Sequence, residues 1–212
     1  YGVSVLGASP GTRVIGNKIH SPVTDTVTAV NFNFRGINVG SSGAGTAQDP
    51  LLLANNVIYN INMGSTSGAG AQGIYLDGAS HVKVYHNTVA FNAAYTGAGT
   101  NVGIYATGTL GNVAIRNNIV SITKGGTGIK YGFFYNTAQT VNGITAERNN
   151  FHVASTQTGA QNYGYATTAY ATQGAFQTAY PTMEGGSLTV NPQFANLVTG
   201  YLMPTNQALQ GN

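Results

Sequence analysis

Apolar and polar residues alternate in short segments that recur along this chain of 212 residues. In segment 82–91, for example, Lys83 and Tyr85 occupy one face. The apolar residues of the opposite face are Val82, Val84, Val89 and Phe91. A two-residue alternation is typical of strands with one buried face. Gly, Asn, Thr and Ser bound the segments, so the pattern predicts strands joined by turns rather than amphipathic helices.

A fixed period connects the segments. Each contains an asparagine, and the five are Asn17, Asn56, Asn87, Asn118 and Asn149. The first interval between them is 39 residues, and each of the next three is 31 residues. A second apolar segment follows each copy, beginning at Gly36, Gly73, Gly103, Gly132 and Gly164. Such a period indicates stacked units that bury their apolar faces against one another. We therefore predict an all-β solenoid, a β-helix of about five coils.

The repeat also predicts which side chains lie above one another. One inward column is Ile19, Ile58, Val89, Val120 and Phe151, and a second is Ile37, Ile74, Ile104, Phe133 and Tyr165. The five asparagines form a further column at a sharp turn, where Asn tolerates the left-handed backbone conformation. At an interstrand spacing of about 4.8 Å, each amide can hydrogen-bond to the Asn of the next coil. We assign this asparagine ladder a structural role.

Three regions follow one another along the chain. We expect residues 1–50 to form an irregular first coil, residues 51–153 the regular coils, and residues 154–212 the last coil and a cap containing a short helix near 171–180. Loops such as 64–72 and 95–101 occupy equivalent places in the repeat, so they gather on one side, where solenoids often carry recognition surfaces. The chain opens within the repeat pattern, so we expect a fragment of a longer polypeptide.

The composition of the chain argues against several kinds of binding partner and site. Charged residues make up 6% of the chain, and the net charge of +3 comes from dispersed Lys and Arg, so we expect no nucleic-acid binding. The absence of cysteine excludes disulfides and thiolate metal sites. No apolar stretch reaches the roughly 20 residues needed to span a bilayer, so we expect no membrane span.

Three short motifs recur or close the chain: an NN-I/V strand at 117–120, a G-I-Y strand at 103–105 and an N-P-x-F step at 191–194. These motifs resemble the right-handed parallel β-helix domains of large bacterial surface and secreted proteins, especially those of Bacteroidetes-type organisms exported by the type IX pathway. In those domains the closing step more commonly has Asp where this chain has Asn191. The resemblance covers most of the chain. It implies an extracellular or cell-surface module, joined to other domains of its parent polypeptide and handled by secretion or outer-membrane machinery.

Polysaccharide lyases and glycosidases share this kind of coil, and their chemistry needs clustered carboxylates or an acid/base pair. The acidic residues here are Asp25, Asp49, Asp77, Glu147 and Glu184, and no two share a repeat position on neighbouring coils. Glu147 lies 31 residues after Arg116, which predicts an exposed ion pair between coils. The histidines are His20, His81, His86 and His152, without chelating spacing. We therefore predict no catalytic residue, metal site or cofactor.

Aromatic residues offer the alternative of a binding module. Tyr75, Tyr105 and Phe134 fall in one outward column, where rings can pack against sugar faces or stack on one another. We expect a non-enzymatic structural or adhesive module with weak glycan binding by this column. Two alternatives stay open: a polysaccharide-active enzyme or a fragment of one, and a phage-type fibre or tailspike segment.

Overall fold

The structure, a computed structural model, describes residues 1–20, 33–40, 45–63 and 70–210. Within these ranges the chain winds into a parallel β-solenoid of about five turns, which confirms the predicted all-β fold. Asp25 and most of the 64–72 loop lie outside the described residues. Among the residues described, no helix combines the length and apolar character that crossing a bilayer requires.

Each coil contributes a strand to each of three sheets. The first coil contains β1 (Val3–Val5), β2 (Arg13–Ile15) and β3 (Lys18–His20), and the second contains β4 (Phe34–Val39), β5 (Leu51–Ala54) and β6 (Val57–Tyr59). The third contains β7 (Ala71–Asp77), β8 (Val82–Tyr85) and β9 (Thr88–Phe91), and the fourth contains β10 (Asn101–Thr107), β11 (Val113–Arg116) and β12 (Ile119–Ile122). The fifth contains β13 (Lys130–Tyr135), a short helix α1 (Ala138–Asn142), β14 (Ile144–Glu147) and β15 (Asn150–Val153).

The C-terminal part adds one more strand to the solenoid and then closes it. It contains β16 (Gln161–Ala166), β17 (Thr168–Tyr170), α2 (Gln173–Ala179), β18 (Phe194–Asn196), β19 (Tyr201–Pro204) and a 3₁₀ helix (Gln207–Leu209). Helix α2 falls where the short helix of the cap was expected. Its N-cap is Thr172, whose hydroxyl accepts a hydrogen bond from the backbone N–H of Ala175.

The strands of each sheet follow the order of the coils. Sheet A runs β1-β4-β7-β10-β13-β16, with β17 added antiparallel to β16. Sheet B runs β2-β5-β8-β11-β14, and sheet C runs β3-β6-β9-β12-β15. The pairing within sheets B and C is parallel throughout their described strands. One buried core therefore extends along the axis, between the three sheets.

The first predicted inward column is confirmed, because Ile19, Ile58, Val89, Val120 and Phe151 are in register across sheet C. The second column is confirmed only as far as Phe133. Gly164, not Tyr165, pairs with Phe133, and Tyr165 lies on the outer face beside Phe134. A Cβ at Gly164 would come within 2.1 Å of the Phe133 ring, so only glycine leaves room for that ring.

Glycine is needed where sheet A approaches sheet C. A Cβ at Gly73 would lie 2.5 Å from the carbonyl oxygen of Gly103 and 2.6 Å from the side chain of Val89. Gly36, Gly103 and Gly132 meet equivalent neighbours at 2.3–3.0 Å. In the fifth copy Tyr163 takes the place of this glycine, because Tyr163 pairs opposite Gly132 and packs on Phe133 and Phe176. The alignment of the five segments on their first glycine therefore holds from Gly36 to Gly132 and not at Gly164.

The expected cap consists of two parts with different positions. Helix α2 closes the end of the core, where Phe176 is fully buried against Phe133. The hairpin formed by β18 and β19 instead lies along the outside of sheet C, where Leu202 packs with Tyr59 and Ala90. We call residues 194–204 the strap. It reaches back as far as the second coil.

Candidate functional site

The asparagine ladder forms an unbroken line of hydrogen bonds. Asn56 is representative: its Nδ2 donates to Asn87 Oδ1 at 2.9 Å and to the carbonyl of Val14 at 2.8 Å, and its backbone N–H donates to the same Asn87 Oδ1. The four Nδ2–Oδ1 distances from Asn17 to Asn149 are 2.9, 2.9, 3.0 and 3.0 Å. The last four asparagines are buried. These amides are therefore fully occupied by contacts between coils.

The left-handed backbone conformation falls one residue before each ladder asparagine, which corrects the position expected from the sequence. These preceding residues are Gly16, Asn55, His86, Asn117 and Arg148, with φ between 54° and 71°. They are exposed and make the turn, whereas the ladder asparagine turns its own N–H toward the next coil. Asn fits the first role through its tolerance of positive φ and the second through its amide.

Glu184 occupies the end of the ladder, a role that the sequence does not reveal. Its Oε2 accepts a hydrogen bond from Asn149 Nδ2 at 3.0 Å and one from Ser187 Oγ at 2.6 Å. Ser187 Oγ also accepts from the backbone N–H of Asn149 at 2.9 Å. Together, Glu184 and Ser187 replace the asparagine that a further coil would supply. Burial raises the pKa of Glu184 to about 7, opposed by the hydrogen bonds from Ser187 and Asn149.

The second line of stacked residues is aromatic. Tyr75, Tyr105 and Phe134, the predicted glycan-binding column, lie in register on the outer face of sheet A, and Tyr165 extends them. Successive ring centroids are 5.0, 4.9 and 4.1 Å apart, and the ring planes differ by 17°, 6° and 6°. We call these four residues the aromatic ladder. Both faces of Tyr105 and Phe134 are covered by neighbouring rings, so these two residues present only their edges to solvent.

Arg35 closes one end of the aromatic ladder. Its guanidinium carbon lies 3.5 Å from the ring centroid of Tyr75, within the range of a cation–π contact. The guanidinium also donates to Gln72 Oε1 at 3.1 Å and to Asn38 Oδ1 at 3.0 Å. Burial raises the pKa of Tyr75 and Tyr105, although the positive charge of Arg35 opposes the rise. These phenols are therefore neutral at physiological pH.

A shallow groove runs beside the aromatic ladder. Its polar lining comes from Asn33, Gln72 and Thr100, next to the edges of Tyr105 and Phe134. Tyr131 packs edge-on against Phe134 on the same face, with ring centroids 5.3 Å apart. The groove offers amide and hydroxyl groups beside aromatic edges, which suits a hydroxyl-rich ligand.

The loops between sheet C and sheet A also stack from coil to coil. Gly125 forms a parallel bridge with Ala94, and the backbone N–H of Thr127 donates to Gly97 at 2.8 Å. Lys130, which the sequence does not single out, is fully buried, and its Nζ donates to the carbonyls of Gly128 and Thr158. Burial lowers the pKa of Lys130. This ammonium group ties adjacent loops together through their carbonyl oxygens.

The remaining charged residues are spread over the surface. Arg116 Nε and Glu147 Oε1 lie 3.1 Å apart on paired residues of β11 and β14, and their side chains are 43% and 38% exposed. Asp77 ends β7, and Asp49 lies in the turn before β5. In the part of the chain that the structure describes, no group of three or more His, Asp or Glu residues is placed to hold a metal ion.

Comparisons with known proteins do not bear on this geometry. The resemblance to Bacteroidetes surface proteins therefore rests on the sequence motifs alone. No model of a protein family, no curated protein and no solved structure matches this chain.

Proposed function

We propose that this chain is a non-enzymatic structural module of a large bacterial protein that works outside the cell or at its surface. The strongest support for this role is that the side chains that recur from coil to coil make their contacts with the same residues of the next coil. The asparagine ladder hydrogen-bonds one coil to the next, and the aromatic ladder stacks ring on ring. A rod built in this way holds its loops, and the domains joined to it, at fixed distances.

Two experiments test the structural role. The purified chain is incubated with a panel of acidic and neutral polysaccharides, and new reducing ends and unsaturated products are measured. Turnover that disappears in Asp77→Asn would overturn the non-enzymatic proposal in favour of a lyase or glycosidase. Analytical ultracentrifugation addresses the fibre alternative, since a stable trimer would favour a phage-type fibre and a monomer is expected of a surface module.

Glycan binding along sheet A is a second candidate function. It is favoured by the groove that places Gln72 and Thr100 beside the edge of Tyr105. Sugar packing on ring faces does not suit this site, because the faces of Tyr105 and Phe134 are already covered. We expect weak contacts through hydroxyl and amide groups instead. A glycan array should then return hits that weaken in Thr100→Ala and survive in Thr145→Ala, which changes an exposed threonine on sheet B. An array without such a hit would remove this candidate.

The parent protein and its export belong to the same proposal. The motifs at 117–120 and 191–194 support a Bacteroidetes-type surface protein exported by the type IX pathway, with secretion or outer-membrane machinery and its own further domains as partners. Surface labelling of the full-length parent in wild-type and type IX-deficient cells tests the route. Equal surface labelling in both strains would overturn it.

A further inference from the structure

The segment from Glu184 to Leu188 completes the last rung of the solenoid. Gly185 and Leu188 form parallel bridges to Glu147 and Asn150. The backbone N–H of Glu184 donates to the carbonyl of Ala146 at 2.6 Å. This segment therefore continues sheets B and C by one rung, although it has no ladder asparagine of its own. We call residues 184–188 the closing rung.

Glu184 is the acidic residue of the closing rung, and it is fully buried. Its side chain ends the asparagine ladder through Oε2, while Oε1 has no hydrogen-bond partner among the described residues. Its backbone has φ of 57°, a left-handed conformation that is uncommon for glutamate. A strained backbone and a buried acidic side chain persist only where the surrounding contacts hold them.

Two buried phenols feel the charge of Glu184. Tyr135 comes from β13 and Tyr163 from β16, and the carboxylate charge of Glu184 acts on both. The hydroxyls of both tyrosines are buried and have no hydrogen-bond partner in the described part of the chain. Burial raises the pKa of each phenol, so both are neutral. Arg148 is exposed and Arg116 pairs with Glu147, so among the described residues no cation is placed to compensate Glu184.

Burial favours a neutral carboxyl group at Glu184, although the hydrogen bonds from Ser187 and Asn149 oppose it. A protonated Glu184 keeps Oε2 as the acceptor for Asn149 and Ser187, and its proton then lies on Oε1, which no described residue hydrogen-bonds. An ionised Glu184 keeps two hydrogen-bond donors but places an unpaired negative charge in the core, which is costly. We propose that Glu184 is a protonation-dependent latch, which holds the closing rung on the asparagine ladder when its carboxyl is neutral and loosens it when the carboxyl ionises.

The pH range over which the latch acts follows from the pKa of the Glu184 carboxyl. Burial raises the pKa of Glu184 from 4.5 to about 7. Because the pKa is higher in the folded than in the open state, the stabilisation is fully present below about pH 4.5 and is lost as pH rises through about 7. The end of the solenoid is thus most firmly closed in mildly acidic conditions.

Hydrogen–deuterium exchange of the intact chain tests the latch. After correction for intrinsic exchange, peptides covering 184–188 should exchange more than about tenfold faster at pH 8.5 than at pH 5.5. Glu184→Gln preserves the shape of the neutral acid, so its corrected exchange should be independent of pH. The matched control, Glu147→Gln, removes an exposed carboxylate and should behave like the wild type. A pH-independent wild type, or an unchanged dependence in Glu184→Gln, would overturn the proposal.

A direct titration covers the case in which Glu184→Gln does not fold. Carbon-13 NMR of glutamate carboxyls in the wild-type chain should show two resonances, since Glu147 and Glu184 are its two glutamates. One is expected to titrate near pH 7. If no glutamate carboxyl titrates above pH 5, Glu184 is ionised in the closed state and the latch is wrong.

Discussion

Asn87 and Asn118 are joined twice, because both the backbone N–H and the side-chain Nδ2 of Asn87 donate to the single Oδ1 of Asn118, at 2.9 and 3.0 Å. Asn118 in turn donates its own Nδ2 to Asn149 Oδ1 and to the carbonyl of Val84. One side chain therefore satisfies groups on both neighbouring coils. Removing the Asn118 side chain therefore breaks hydrogen bonds on the coils before and after its own.

Asn118→Ala should lower the free energy of unfolding by roughly 2–5 kcal/mol, since the buried donors of Asn87 lose their acceptor. Urea denaturation followed by circular dichroism measures the change. Asn117→Gly is the matched control at the adjacent exposed turn, where φ is 55° and glycine relieves strain, so it should be neutral or slightly stabilising. A loss below about 1 kcal/mol in Asn118→Ala would mean that the ladder is dispensable.

The ladder is predictable from sequence because its physical requirement is local and periodic. Asn donates and accepts through one short amide side chain, and the 31-residue interval repeats it in every regular coil. The shift at β16, which follows the fifth coil, could not be predicted in this way. Gly164 and Gly132 look equivalent in sequence, yet the Phe133 ring fills the space above Gly164 and moves Tyr163 into the glycine position. Three-dimensional packing decides that register.

The strap is a second feature that the repeat does not reveal, although the sequence carries a signal for it. Tyr59 and Ala90 occupy outward positions of sheet C where polar residues would be expected on a solvated surface. Both are buried beneath Leu202 of the strap. Apolar residues at outward positions therefore indicate a covered sheet. What covers the sheet is far away in the chain and could not be identified from the alternation.

Gly103→Ala should be strongly destabilising. The added Cβ would meet Val120 Cγ1 at 2.3 Å and the carbonyl oxygen of Gly132 at 2.5 Å, so sheets A and C would have to separate. We expect a loss of about 1–3 kcal/mol or more in the free energy of unfolding, as is typical of overpacked cores.

Gly174→Ala tests the same chemical change without the steric cost. Gly174 lies in the first turn of α2, and its Cβ would meet no atom within 4 Å. Helix propensity then predicts stabilisation by up to about 1 kcal/mol. Thermal unfolding of the two variants should give shifts of opposite sign. Equal shifts would show that the glycines of sheet A are not positions of close approach.

Glu147→Gln should change stability by less than about 1 kcal/mol, because Arg116 and Glu147 are both substantially exposed and their interaction is screened by water and salt. Denaturation at low and high ionic strength measures the contribution of the pair. The small difference between variant and wild type should shrink further at high salt. A large, salt-independent loss would instead indicate that Glu147 has a packing role in β14.

Phe134→Ala should reduce the stability of the outer face of sheet A. The Phe134 ring lies between Tyr105 and Tyr165 at 4.9 and 4.1 Å, so its removal ends two stacking contacts, each worth roughly 0.5–1.5 kcal/mol, and leaves a gap between the rings. Tyr105→Phe is the control, since it keeps the ring and removes only the hydroxyl. Urea denaturation should show a loss of about 2–4 kcal/mol for Phe134→Ala and little change for Tyr105→Phe. If Phe134→Ala is as stable as the wild type, stacking does not explain the column, and its aromatic residues would have to be accounted for by ligand binding at their edges.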